Sequence, residues 1–226
     1  MTLQRRTSIN LLLLLLLVMG LGGCGPLAAW TAAQFAPPEK VPATYDPPAQ
    51  KTFLVLVDDY HQVLQYEPLK ADLTAELNRQ LREHRIARGV VEHDELLNLM
   101  ETTPRFDDLS TAEVGRELQA DIVLYVLIDR FSLKESPANP LWQGKLGASV
   151  RLVDVREGRL WPTDRLGGYP VPTVQLPPTS SDSPTAEAVL SRALARRMAD
   201  RIAKLFYRHE VPQREQQGFS DESLTR

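Results

Sequence analysis

Residues 110–131 read STAEVGRELQADIVLYVLIDRF, and a helix and a strand meet within them. Ser110 with Glu113 three residues on forms a capping box, so a helix starts there and ends near Leu118. Asp121 to Phe131 is the most apolar run of the folded part of the chain and predicts a central strand. Gly115 gives the helix a place where a bulky neighbour can approach. Asp121, at the strand's entrance, can accept hydrogen bonds from loop amides. Both roles are structural.

Working upstream, TFLVLV (Thr52–Val57) is a short β-branched and aromatic run, the pattern of a strand covered on both faces. From Glu67 to His84 the leucines at 69, 73, 77 and 81 make one helical stripe, with Pro68 in the first turn. IARGVVE (Ile86–Glu92) reads as a second strand and HDELLNLME as a short helix, with Pro104 beyond its end. Downstream the period changes to two. Trp142, Leu146, Ala148, Val150 and Leu152 alternate with polar residues, which predicts a strand with one buried face. Arg156 to Gly158 is a hairpin turn into RLWP. A proline-rich loop spans Pro162 to Pro184. Ser183 as cap and Pro184 at the first helical position open a long helix to about Tyr207. Its apolar positions are Val189, Leu190, Leu194, Met198, Ile202, Leu205 and Phe206. The predicted fold is α/β, a three-layer-like mixed sheet of about five strands flanked by helices, in the order β-α-β-α-α-β-β-β-α with a long C-terminal helix.

The amino terminus carries a different signal. Leu11 to Leu21 is eleven residues of apolar chain, whereas a membrane-spanning helix needs roughly 20. Arg5 and Arg6 precede it and Gly22 and Gly23 follow it, the layout of a cleaved secretory signal peptide. The chain's one cysteine, Cys24, closes LGGC, which resembles the lipobox of bacterial lipoproteins. By that resemblance Cys24 is lipidated, palmitate included, and becomes the first mature residue. Gly25 after it implies the outer membrane, with the domain facing the periplasm. The expected organisation is a signal peptide over 1–23, a Pro/Ala-rich tether over 24–50, an α/β domain over 51–211 and a disordered polar tail over 212–226.

Composition narrows the function. Removing residues 1–23 takes away two arginines and no acid, so the net charge goes from −3 to −5. With a sequence pI near 5.9 the chain lacks the basic signature of nucleic-acid binding. A single cysteine excludes an internal disulfide. Asp58 and Asp59 stand at the carboxyl end of the first strand, where open α/β sheets bind ligands and paired carboxylates can hold magnesium. No phosphate-cradling loop accompanies them, so they read as acids solvating the strand exit. The histidines at 61, 84, 93 and 209 share no metal-ligand spacing. No G-x-S-x-G elbow or other nucleophile with its base occurs. No catalytic residue, metal, cofactor or small-molecule substrate is therefore expected. The last helix carries a basic stripe of Arg197, Arg201, Lys204 and Arg208 on one helical face, suited to an acidic partner or lipid head groups. A solvated face is the plainer reading of the same residues.

Three stretches carry a family resemblance. VGRELQADIVLYVLIDRF resembles the helix-to-strand junction of periplasmic lipoproteins related to the curli secretion protein CsgG, the penicillin-binding-protein activator LpoB and the amino-terminal domain of TolB. REHRIARGVVEHDELLNLME resembles their passage from first helix to second helix, and VRLVDVREGRLW their closing hairpin. The likeness runs in order over about residues 51–209. One departure is Gln119, where the family has a second glycine. The resemblance implies a non-catalytic envelope module that binds a protein partner and, in its activator branch, regulates peptidoglycan synthesis by reaching a synthase. The alternative is an accessory subunit of a secretion or envelope-assembly complex. A curli-type pore needs spanning strands of about 9 to 11 residues. SLKESPANPL is too short for such a hairpin, and residues 161–183 hold five prolines, so no transmembrane pore is expected.

Overall fold

The structure is a computed structural model that describes residues 40–134, 141–180 and 185–210. Its main sheet is built from β1 (Thr52–Asp58), β2 (Gly89–Val90), β3 (Ile122–Lys134), β4 (Trp142–Asp154), β5 (Gly158–Trp161) and β6 (Tyr169–Gln175). The helices are α1 (Pro68–Glu83), α2 (His93–Thr102), α3 (Thr111–Glu117) and α4 (Ala186–Lys204). The strand order is β2-β1-β3-β4-β5, with β6 also paired to β4. β1 is parallel to β2 and β3, and β4 is antiparallel to β3, β5 and β6. The apolar run that opens the sequence argument, β3, is thus central.

Alternation along the strands divides the molecule into layers. Phe53, Val55, Ile122, Leu124, Val126, Val150 and Leu152 face α1 and α4, where Leu69, Leu73, Leu77 and Leu81 of α1 are all fully buried. The opposite face presents Leu54 and Val123, with Leu56 and Val153 partly buried, to Leu96 of α2 and Val114 of α3. Burying a leucine side chain fully contributes about 1.5–3 kcal/mol, so the α1 stripe alone fixes that helix on the sheet. All but one of the apolar positions expected on α4 turn inward; Val189 is exposed.

The compact unit comprises Pro42–His209. Residues 42–50, placed by pattern in the tether, pack within it. The amides of Thr44 and Tyr45 donate to the Leu205 carbonyl at 2.8 and 3.0 Å, and Tyr45 stacks on Trp161. Of the other unit, Lys40, Val41 and Glu210 are described, and Lys40 Nζ lies 3.8 Å from Glu210 Oε1.

Four details differ from the sequence expectation. The proline-rich loop contains a sixth strand, β6, whose Pro170 and Pro172 are exposed while Val171 and Val174 are buried against β4. β6 is an edge strand, the one place in a sheet where missing N–H donors are tolerated. β2 is two residues long, flanked by Arg88 N–H to Lys51 O and Val91 N–H to Phe53 O. α4 starts after Thr185 and ends at Lys204, because Leu205 and Phe206 close back on Ile202 and Ala203. The cap assigned to Ser183 and Pro184 lies outside the described residues. β3 and β4 each extend to 13 residues, so Ser132–Lys134 belong to the strand and not to the connection.

Candidate functional site

The basic stripe of the last helix divides when its side chains are placed. Arg201 Nη1 donates to the carbonyls of Pro172 and Thr173 at 2.9 and 2.7 Å, clamping α4 to the edge strand β6. Lys204 pairs with Asp200 at 2.8 Å and is mostly covered. Both groups are occupied within the fold. Arg197 and Arg208 are exposed and form no ion pair among the described residues, but Arg208, expected on the helical stripe, stands beyond the end of α4 at Lys204, because the chain leaves the helix at Leu205. Arg196, one position from the stripe, lies 3.9 Å from Glu76 but stays exposed. Glu76 itself sits below the usual carboxylate range, held there first by its hydrogen bond from Arg79. Spacing along a helix reveals which cations share a face, but not which of them meet carbonyls on a strand far away in sequence.

The carboxyl end of β1 forms the second candidate region. Asp58 accepts a hydrogen bond from the Tyr125 hydroxyl. Asp59 accepts the amides of Val63 and Leu64, both at 2.9 Å, and so shapes the loop that follows the strand. Cross-strand registers set Leu56, Tyr125 and Arg151 side by side on the face that α2 and α3 cover only in part. The Arg151 guanidinium lies 3.9 Å from the centre of the Tyr125 ring, a cation–π contact. Burial, and then the Asp58 carboxylate, hold Tyr125 well above the ordinary tyrosine range, while Arg151 acts in the opposite direction. Around this trio runs a cleft of about 960 Å³, walled by α2, the turn at Phe106–Asp108 and the start of α3. Arg151 Nε and His93 Nδ1, on two lining residues, are buried atoms with no hydrogen-bond partner. Asp58 and Asp59 marked this end of the strand in the sequence. Tyr125 and Arg151 carried no signal, since they stand within runs that read only as strand.

The junction that carries the family resemblance is structural throughout. Asp121 Oδ2 accepts the Thr52 amide at 2.9 Å, and Asp154 Oδ1 accepts the amides of Arg156 and Glu157 in the closing turn. Gln119, the departure from the family glycine, has φ 54°, in the left-handed region. Cys24, the expected lipidation site, lies outside the described residues, as do the expected signal peptide, the tether up to residue 39 and the polar tail.

Together these features define a three-layer mixed α/β domain with exposed arginines on and just after its last helix and a cleft at the carboxyl end of its first strand. No protein-family model matches the chain, and no curated protein matches it in sequence. Among solved structures it is similar to the PelC dodecamer from Paraburkholderia phytofirmans, at 15% identity and a TM-score of 0.40, over 75% of this chain and 96% of that one. It is also similar to lipoprotein GNA1162 from Neisseria meningitidis, at 17% identity and a TM-score of 0.40, over 68% and 99%. A third is lipoprotein B from Nitrosomonas europaea, at 13% and 0.32, over 72% and 84%. Bacterial lipoproteins recur among the similar structures.

Proposed function

We propose that the chain is an envelope lipoprotein, held in the outer membrane through lipidated Cys24, whose α/β domain works by binding a protein partner and performs no catalysis. The localisation part is supported by LGGC at Leu21–Cys24, behind a basic head and an apolar block too short to span. The binding part is carried by Arg197. It is exposed on α4 without an ion pair among the described residues, whereas Arg201 and Lys204 of the same stripe are taken up internally. Exposed, uncompensated cations set the encounter rate with an acidic surface and make it depend on salt. The resemblance to the LpoB branch makes a peptidoglycan synthase the partner class.

A photo-crosslinking residue at position 197 in the full-length chain, irradiated in intact cells, tests the assignment. Capture of a synthase supports it. Capture of a secretion or assembly component moves the protein to the accessory class, and no capture from 197 or 208 overturns the binding face. For the anchor, Cys24→Ser leaves the membrane fraction or stays uncleaved; a mature protein that begins elsewhere and carries no lipid overturns it.

A further inference from the structure

Six large apolar side chains are exposed among the described residues, and three of them, Tyr60, Leu97 and Met100, line the cleft at the carboxyl end of β1. Exposed apolar groups scattered singly need no explanation, but their concentration in one concavity marks an interaction site. The cause lies in α2. His93, Leu96, Leu97 and Met100 fall at i, i+3, i+4 and i+7, one stripe of the helix, and all line the cleft, with Leu96 at the edge where the stripe meets the second core. Leu97 and Met100 are 42% and 44% exposed, against 4% for Leu96, so the fold covers one edge of the stripe and leaves the other open.

The rim is acidic. Asp58, Asp59, Glu67 and Asp107 line the cleft against Lys70 and Arg151. Lys70 and Glu67 pair at 3.1 Å and offset one another, Arg151 lies over the Tyr125 ring, and Asp58, Asp59 and Asp107 leave the lining with net negative charge although Asp58 and Asp59 also accept the Tyr125 hydroxyl and two loop amides. Outside the lining, α2 also carries Asp94, Glu101 and Glu95, the last engaged in its own capping box, and has no lysine or arginine. We propose that this cleft docks a basic amphipathic segment of a partner protein, one that sets apolar side chains a helical turn apart onto Leu97 and Met100 with lysine or arginine facing the carboxylates. Methionine suits such a contact because its unbranched thioether adapts to irregular surfaces. A second copy of this chain fits less well. Its most basic element, α4, has Leu190, Leu194, Met198 and Ile202 already buried, so it offers charge without an apolar stripe. Anionic lipid head groups are repelled by the same carboxylates. The proposal goes beyond the binding face on α4 and is tested separately from it.

The test places p-benzoylphenylalanine at Leu97 in the full-length chain, irradiates intact cells and sequences the captured segment. A segment with net positive charge and apolar residues at helical spacing is expected. Glu101→Lys with Asp107→Lys should lower the yield at least ten-fold with an unchanged thermal melt. If that variant melts early, Glu101→Gln with Asp107→Asn should still lower the yield about three-fold. Capture of an acidic or neutral segment, of a second copy of this chain or of lipid, no capture at all, or a yield indifferent to both variants, overturns the proposal. Capture from 197 with none from 97 sinks the cleft alone and leaves the α4 reading standing.

Discussion

A methyl group placed on Gly115 would stand 2.6 Å from Cγ2 of Val123, and 2.7 Å from Cγ2 of Val155. Real β-carbons do not approach that closely, and both neighbours are β-branched, buried and stiff. Gly115→Ala therefore forces α3 away from the sheet. Overpacking of this kind costs about 1–3 kcal/mol, offset in part by about 1 kcal/mol of helix propensity. We expect a net loss of roughly 1 kcal/mol in urea unfolding; a gain in stability would show that α3 slides freely on the sheet.

Both α1 and α3 end in the same cap. Ile86 N–H returns to Leu81 O at 2.9 Å and Arg85 N–H to Arg82 O at 3.1 Å; Ala120 N–H returns to Gly115 O at 2.9 Å and Gln119 N–H to Arg116 O at 3.1 Å. This is the Schellman pairing, which puts its C′ residue in the left-handed region. Here those residues are Arg85 at φ 55° and Gln119 at φ 54°. A side chain in that conformation costs about 1–2 kcal/mol, while glycine gives back up to about 1 kcal/mol through the unfolded chain. Arg85→Gly and Gln119→Gly should each raise the unfolding free energy measured in urea by up to about 1 kcal/mol, and add in the double variant because the caps are on separate helices. A fall at both sites would contradict the cap assignment.

Much of this was legible in the sequence because it is local or periodic. The Ser110/Glu113 box, the α1 leucine stripe and the apolar β3 follow from spacing alone, and Asp121 was readable as an acceptor because it stands at a strand entrance. What escaped depends on partners distant in the chain. β6 is a strand because Val171 and Val174 meet β4, although its prolines read as a loop. Tyr45 belongs to the domain because Trp161 is there to stack on it. Gln119 was noticed as a missing glycine, but its left-handed φ is a property of the cap geometry. The cleft escaped because Leu97 and Met100 look like ordinary positions of a short amphipathic helix until the other elements leave them uncovered.

Alkaline pH should unfold the domain through Tyr125. Burial and the Asp58 carboxylate favour its neutral form, so its folded pKa lies above the unfolded value near 10. A group raised in the fold contributes stability that is fully present below the unfolded pKa and is lost as pH rises toward the folded one. Urea midpoints should be flat for this group up to about pH 9 and then fall. Tyr45 and Tyr207 are raised as well, burial being the first cause in each, and they add to the slope. Tyr125→Phe cannot ionise, so it should start less stable at pH 8 yet lose less between pH 8 and 11. Equal losses in the two proteins would rule out Tyr125 as a source of the alkaline limb.

Arg201 on the one hand, and Arg197 with Arg208 just beyond the end of α4 on the other, should separate in one pair of measurements. Arg201 gives two hydrogen bonds to backbone carbonyls of β6, an edge strand paired on one side only. Hydrogen bonds from a charged donor contribute about 1.5–3 kcal/mol when buried and less where water competes. Arg201→Glu removes the donors and sets a carboxylate against the Pro172 and Thr173 carbonyls, so it should cost about 1–2 kcal/mol. It should also speed amide hydrogen exchange at Val171 and Val174, before the rest of the sheet opens. Arg197→Glu with Arg208→Glu touches exposed side chains, and such changes alter stability by less than about 0.5 kcal/mol each. That pair should leave urea unfolding and exchange at β6 unchanged while abolishing partner capture from the last helix. If Arg201→Glu unfolds at the wild-type midpoint and exchanges at the wild-type rate, the clamp on β6 is not formed in solution, and Arg201 returns to the surface with Arg197.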